Sequence, residues 1–273
     1  MRRISAKVKI ISIILLVVSI IAMITTYIVN DNIREFIDTK ILKKEISDDS
    51  VKNIYTNSSV IQTMTLAKNI VTLSSGELKV YDFEGNAKNT IKMKIGNPIY
   101  DVEDKYLGIA DKNVTKIYLI EDDKLVWEKT LDVTVEKIEV NKNGYMAVVT
   151  KDSVYKSVVL VYSNKGELLL KSYVSNGYVI DIEISPDNKY LVIGEVDYSK
   201  TYIESTVKVI DIQKAIKSEE GSVVNTFVKD KLLVNLKIKE NSSIIGQYSD
   251  SVVNIGYNKD ENKEIYKLSN VYM

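Results

Sequence analysis

The sequence predicts an all-β fold, a β-propeller of about five four-stranded blades, preceded by one transmembrane helix and a short helical stalk. Three observations lead to this prediction. One strongly apolar strand type recurs about every 40 residues, further short strands and polar turns flank each copy, and one uncharged segment near the N-terminus is as long as a bilayer span. We therefore divide the chain into a basic N-terminus (1–9), a transmembrane helix (10–29), a stalk (30–58) and the propeller (59–273).

The predicted membrane span is Ile10 to Val29, which contains no charged residue. Its twenty residues, at about 1.5 Å each, extend about 30 Å as a helix, which matches the hydrocarbon thickness of a bilayer. A signal peptide is the alternative interpretation, but its apolar region is usually about 7–15 residues long and is followed by small residues. Here the segment ends in the bulky stretch TTYIV, so an uncleaved anchor in the lipid bilayer is favoured.

Basic residues before the span predict its orientation. The first thirty residues contain no acid and four basic residues, which are Arg2, Arg3, Lys7 and Lys9. By the positive-inside rule these residues keep the N-terminus in the cytoplasm and place residues 31–273 outside it. The predicted localisation is the cell membrane, with a single pass and an extracytoplasmic propeller.

Residues 31–50 are predicted to form a helical stalk. Ile33, Phe36, Ile37 and Ile41 approximate one apolar stripe at helical spacing. The stalk continues the membrane helix in our preferred interpretation. A helix pair or dimerisation element is the alternative.

The propeller prediction comes from an internal repeat. The steps between successive copies of the apolar strand are 38, 42, 49 and 45 residues, counted between Val80, Tyr118, Leu160, Val209 and Asn254. Five units follow, at 59–95, 97–132, 135–175, 178–229 and 231–273, and the first lacks an obvious complete set of strands. About 40–45 residues for four strands is the period of a propeller blade, in which each sheet buries both faces on its neighbours. A β-sandwich, or two small β-domains, is the alternative.

Two hairpins connect this repeat with a known family. The stretch Ile184–Ile193 (ISPDNKYLVI) resembles the first hairpin of WD40-like blades, and Asn141–Val149 (NKNGYMAVV) looks like a looser copy. The whole layout also resembles a group of uncharacterised bacterial proteins with one membrane helix and a divergent extracytoplasmic propeller. Members of that group carry more blades, so the resemblance implies a short or truncated member with an open or incomplete ring. The turn Pro186–Asn188 is interpreted as chain reversal and not as an active site.

Composition excludes several function classes. The sequence has no cysteine and no histidine, which excludes disulfides, thiolate zinc sites and the serine triad with its histidine base. Residues 31–273 contain 33 basic and 37 acidic side chains, and this mildly acidic balance argues against nucleic acid as a partner. No cofactor or metal motif is present, and the acidic runs Glu121–Asp123 and Glu219–Glu220 are interpreted as solvated turns. The single tryptophan, Trp127, is interpreted as packing between blades.

The candidate partner-binding residues lie on two long loops between second and third strands. Tyr198 and Tyr202 could supply rigid contacts, Asp197 and Glu204 could hold polar groups or a cation, and Tyr155 lies on the corresponding loop of the preceding repeat. A solvated hairpin extension is the alternative for these loops.

The sequence thus predicts a non-catalytic scaffold or envelope-associated binding module with a protein or cell-wall partner. A sensor or small-ligand domain that signals through the juxtamembrane helix is the alternative, and a histidine-independent hydrolase is the third. An exposed loop face with tyrosines would favour the scaffold. A large polar central pocket with clustered acids would favour the sensor or the enzyme.

Overall fold

A computed structural model describes residues 6–30, 33, 37, 54, 59–112, 114–199, 201–239, 243–257 and 261–267. The chain divides into two compact units, Met1–Asn53 and Ile54–Met273. Arg2, Arg3, most of the predicted stalk, and the side chains of Lys7 and Lys9 lie outside the described residues. The predictions made for them therefore stay predictions.

The first unit contains helix α1, Ala6–Val29. Its side chains are described from Leu15 onward, and all of them are exposed except Tyr27, which is half-buried. No helix within the described residues has both the length and the apolar character needed to cross a membrane.

The second unit consists of five separate four-stranded antiparallel sheets, which we call blades one to five. Each blade is a simple meander in which consecutive strands pair. Blade one contains β1 (Val60–Leu66), β2 (Asn69–Ser74), β3 (Glu77–Asp82) and β4 (Ala87–Lys92), and blade two contains β5 (Pro98–Glu103), β6 (Tyr106–Asp111), β7 (Val114–Glu121) and β8 (Lys124–Thr130). Blade three contains β9 (Val135–Val140), β10 (Met146–Thr150), β11 (Ser157–Tyr162) and β12 (Leu168–Val174). Blade four contains β13 (Tyr178–Ile184), β14 (Tyr190–Asp197), β15 (Glu204–Asp211) and β16 (Val223–Lys229), with the short helix α2 (Ile212–Ile216) after β15, and blade five contains β17 (Leu233–Ile238), β18 (Ile244–Tyr248), β19 (Ser251–Ile255) and β20 (Lys263–Lys267).

This arrangement confirms the predicted all-β fold of five four-stranded units. It also completes blade one, for which the sequence shows no full set of strands. The sandwich alternative is wrong, because the strands form five sheets and not two.

The core lies between consecutive blades. Four buried apolar clusters join blade one to two, two to three, three to four, and four to five, and they include Leu78 with Ile109, Ile117 with Ile138, Val159 with Ile182, and Val207 with Leu236. Within the described residues no such cluster joins blade five to blade one. Trp127 packs between blades two and three as predicted, since its indole N–H donates to the carbonyl oxygen of Asn164 at 3.2 Å.

The two WD40-like hairpin turns hydrogen-bond to each other. The Asn141 side-chain amide donates to the Ser185 carbonyl oxygen at 3.0 Å and to Asn188 Oδ1 at 2.6 Å. The Asn143 amide donates to the Pro186 carbonyl oxygen at 2.7 Å and also to Asn188 Oδ1 at 3.0 Å. The Pro186–Asn188 turn therefore ties blade four to blade three, in addition to reversing the chain.

Candidate functional site

The loops between second and third strands, and the connections from one blade to the next, lie at the same end of the meander blades. We call this the loop end. In blades three and four it brings together the segments 151–156, 175–177, 198–199 and 201–203. The loops that carry the candidate residues are therefore neighbours.

A row of exposed tyrosines lies at the loop end of blades three and four. We call Tyr155, Tyr173, Tyr178 and Tyr198 the tyrosine surface, and these side chains are 36 to 52% exposed. The ring centroids of Tyr155 and Tyr173 are 4.7 Å apart, and those of Tyr178 and Tyr198 are 6.3 Å apart. Lys156, which follows Tyr155 in the chain, lies next to the second pair, with its Nζ 5.2 Å from the centroid of Tyr178.

The structure thus brings the predicted Tyr155 and Tyr198 into one surface. Tyr202 is also exposed and belongs to the same loop as Tyr198. The sequence analysis missed Tyr173 and Tyr178. They were detectable in principle, because they flank the connection between blades three and four.

Both loops are held in place by an aspartate. The Asp152 carboxylate accepts the backbone N–H groups of Val154 at 2.8 Å and Tyr155 at 2.9 Å. These hydrogen bonds lower the pKa of Asp152. Asp197 Oδ1 similarly accepts the backbone N–H of Ser199 at 2.8 Å and its hydroxyl at 2.6 Å. The loops are therefore ordered by their own hydrogen bonds.

Asp197 and Glu204 lie opposite each other in the β14–β15 ladder. They line a cavity of about 220 Å³ together with Glu195 and Lys208, whose side chains form an ion pair at 2.7 Å. In the part of the chain that the structure describes, no group of three or more acidic side chains could hold a metal ion.

A second feature lies on the first strands of the blades, which contact one another on the inside of the array. Four of these strands carry a pair of charged or polar residues two positions apart: Asp101 and Glu103, Lys137 and Glu139, Asp181 and Glu183, and Asn235 and Lys237. These side chains line two adjoining cavities of about 60 and 370 Å³, and both cavities include Glu139, Glu183 and Lys237. We call Asp101, Lys137, Glu139, Asp181, Glu183 and Lys237 the axial cluster.

Two of the pairs begin with an aspartate, and each of these aspartates bonds to the next blade. Asp101 Oδ2 accepts the backbone N–H of Val140 at 2.8 Å, and Asp181 Oδ2 accepts that of Leu236 at 2.8 Å. Asp181 Oδ1 also lies 2.7 Å from the ammonium group of Lys137. These contacts join blade two to three, three to four, and four to five.

Two of the second acids, Glu139 and Glu183, lie beside one ammonium group. Lys237 Nζ lies 3.2 Å from Glu183 Oε1 and 3.8 Å from Glu139 Oε1. Burial, together with the nearby charges of Asp101 and Glu183, raises the pKa of Glu139 to about 9. Burial also raises the pKa of Glu183 to about 7, against the opposing effect of Lys237. Burial and the neighbouring acids therefore disfavour the ionised form of Glu139.

The sequence analysis did not identify the axial cluster. It considered acidic runs only at turns, whereas these acids alternate with apolar residues inside strands. The sequence signal for the cluster is a glutamate that recurs near the end of the first strand in blades two, three and four, at Glu103, Glu139 and Glu183.

Comparison with solved structures shows a WD40-like propeller fold. The WD40 domain of Neurospora crassa Pan2 is 12% identical, with a TM-score of 0.51, over 77% of this chain and 65% of that domain. Kluyveromyces lactis Hsv2p is 18% identical, with a TM-score of 0.52, over 81% of this chain and 75% of that protein. Hydrazine synthase of Kuenenia stuttgartiensis is 13% identical, with a TM-score of 0.53, over 79% of this chain and 69% of that one. Identities this low establish the fold alone.

Sequence comparison gives the family. No curated protein matches the chain significantly. A family model described as a family of unknown function, DUF5711, matches residues 42–271, which is most of the chain. The chain, a WD40-like β-propeller, therefore belongs to the DUF5711 family of unknown function.

Proposed function

We propose that this chain is a membrane-anchored, non-catalytic binding module whose propeller presents the tyrosine surface to a protein partner outside the cytoplasm. The observation that carries the proposal is the group of four exposed tyrosines, two on loops ordered by hydrogen bonds and two at the adjoining strand ends. Tyrosine offers a large, rigid contact area at low entropic cost, and it has a polar hydroxyl at its tip. Because hydrogen bonds within the chain already order the loops, less entropy is lost when they bind.

The anchor is supported by the sequence and by the internal bonding of α1. Ile10 to Val29 carries no charge, and basic residues precede it. The hydroxyls of Thr25 and Thr26 donate to the carbonyl oxygens of Ile21 and Ala22 at 2.8 and 2.7 Å. These polar groups are thus satisfied within the helix, as a hydrocarbon environment requires.

The axial cavity favours a second candidate function, a sensor or small-ligand domain. Its volume of about 370 Å³ and its charged lining suit a small polar molecule. The acids and lysines of the axial cluster also pair with one another, which fits a structural role of the cluster in joining the blades. We therefore keep the ligand function as the alternative.

Site-specific photocrosslinking in intact cells tests the proposal. A photoreactive phenylalanine analogue replaces Tyr198 in one variant and Phe83 in a control, since Phe83 is an exposed aromatic residue of blade one. We expect a discrete protein adduct at position 198 and none at position 83. Equal adducts at both positions, or none at position 198, would contradict a binding role for this surface.

Protease added to the same cells tests the topology separately. An extracytoplasmic propeller is digested without breaking the cells. Complete protection of the propeller, with a secreted control digested, would contradict the proposed orientation.

A further inference from the structure

We propose that the tyrosine surface binds an extended, uncharged, proline-rich segment of its protein partner. This inference rests on the proposed function and specifies the partner's chemistry. The binding groove is a cavity of about 370 Å³ at the loop end, lined by Tyr155 and Tyr178 together with Val154, Ser153 and Ser175 and the charged residues around them.

The charges around the groove are balanced within the chain. Lys151 lies 3.7 Å from Glu136, the Asp152 carboxylate is bonded to backbone N–H groups, and the ammonium of Lys156 lies over the ring of Tyr178. Two basic and two acidic side chains leave no net formal charge. Neither a charged peptide nor an anionic lipid surface would gain long-range attraction here. The groove is therefore complementary to an uncharged ligand.

The hydroxyl groups supply the polar part of the recognition. All four tyrosine side chains are exposed, so a ligand can reach them. A polyproline II segment has no internal hydrogen bonds, so its carbonyl oxygens are free acceptors for such hydroxyls. Aromatic-lined grooves bind this conformation because it is already extended and loses little entropy.

The packing of the rings favours a peptide over a glycan. The rings of Tyr155 and Tyr173 lie 4.7 Å apart at a tilt of 42°, which forms a narrow cleft and not the broad flat face on which a sugar ring stacks. Tyr178 likewise has Lys156 and Tyr198 beside its ring. Val154, which is 82% exposed, adds an apolar edge that a proline ring can contact. The available surface is therefore a set of ring edges and clefts.

Selection from peptide libraries tests the inference with the full-length protein. One library fixes prolines at every third position and randomises the others. A second library replaces those prolines with glycine and is otherwise identical. We expect at least tenfold enrichment of proline-containing, uncharged sequences by the wild-type protein. Enrichment of glycine-containing or charged sequences, or no enrichment in either library, would overturn the inference.

Peptide binding by variants of the groove tests whether these residues form the binding site. For a selected peptide, the double substitution Tyr155→Ser with Tyr178→Ser should weaken binding at least tenfold, and Tyr178→Phe should weaken it a few fold. Phe83→Ser is the matched control and should bind as the wild type does. Binding should change less than about twofold between 50 and 500 mM salt, because no net charge is involved. A steep salt dependence, or wild-type binding by the double variant, would overturn the inference.

Three further results separate this inference from the proposed function. Glycan fragments of the cell wall and anionic vesicles should not compete with the selected peptide. Competition by either would show that the site binds that ligand class and would overturn the inference. A crosslink at position 198 to a partner without proline-rich segments would leave the proposed function intact and refute the inference. Loss of both the crosslink and the peptide binding would refute both.

Discussion

Substitution of the buried Glu139 by glutamine should make the propeller more stable at alkaline pH. Glu139 lies in the axial cluster with only 13% of its side chain exposed, 3.8 Å from Lys237. Glutamine keeps the shape and removes the ionisable group. The size of the effect therefore reports how strongly the folded protein disfavours the carboxylate.

The sign follows from the raised pKa. Glu139 has a pKa of about 9 in the folded chain and an ordinary value of 4.5. Its stabilising contribution is therefore fully present below pH 4.5 and is lost as the pH rises through 9. Between pH 4.5 and 7 this shift corresponds to at most about 3 kcal/mol of unfolding free energy. Because the Lys237 side chain is 59% exposed to solvent, which screens the cluster, we expect about 1–2 kcal/mol.

Urea unfolding of the full-length chain at pH 4.5, 6, 7.5 and 9 measures this difference. Glu139→Gln should match the wild type at pH 4.5 and exceed it by about 1–2 kcal/mol at pH 7.5. Glu136→Gln is the matched control, since it makes the same change on an exposed position of the same strand. Parallel pH profiles for wild type and Glu139→Gln would show that Glu139 titrates normally and would refute the reasoning.

Three further substitutions test other contacts by the same measurement. Asn143→Ala removes two hydrogen bonds between the turns of blades three and four and should cost about 1–2 kcal/mol, whereas Lys142→Ala, an exposed neighbour in that turn, should change stability by less than about 0.5 kcal/mol. Lys237→Met leaves Glu183 without its cation, so its loss of about 1–2 kcal/mol should be larger at pH 8, where Glu183 is ionised, than at pH 5, where it is protonated. Gly144→Ala should cost about 1–3 kcal/mol, because φ is +76° there and a Cβ would lie 2.7 Å from the ring of Tyr106. Equal losses at pH 5 and pH 8 for Lys237→Met, or no loss for the other two changes, would contradict these assignments.

The repeat was predictable because the centre of the third strand is buried in successive blades. Val80, Tyr118, Leu160 and Val209 are all buried, and in β7 and β11 the residues around them form a continuous apolar run. First strands are less distinct. In β1 (Val60–Leu66) polar threonines and a glutamine interrupt the apolar residues, and the sequence therefore shows no complete first blade.

The binding surface was predictable only in part. Loop length identified Tyr155 and Tyr198, because long insertions indicate exposed segments. Tyr173 packs on Tyr155 within blade three, and Tyr178 packs on Tyr198 within blade four, so strand pairing alone brings each pair together. That the two pairs adjoin, with Lys156 over the ring of Tyr178, depends on how blade three packs against blade four. The axial cluster depends in the same way on the radial arrangement, because a charged residue in an alternating strand normally faces solvent.

The two ends of the blades differ in how their polar groups are used, and this difference argues for the loop end as the binding face. At the opposite end, the amides of Asn141 and Asn143 and the turn Pro186–Asn188 satisfy one another across the blade boundary. A ligand there would have to replace hydrogen bonds that hold blades together. At the loop end, hydrogen bonds are used to order the loops, while the tyrosine hydroxyls stay available to a partner. Binding at the tyrosine surface therefore leaves the hydrogen bonds of Asn141 and Asn143 to the Pro186–Asn188 turn in place.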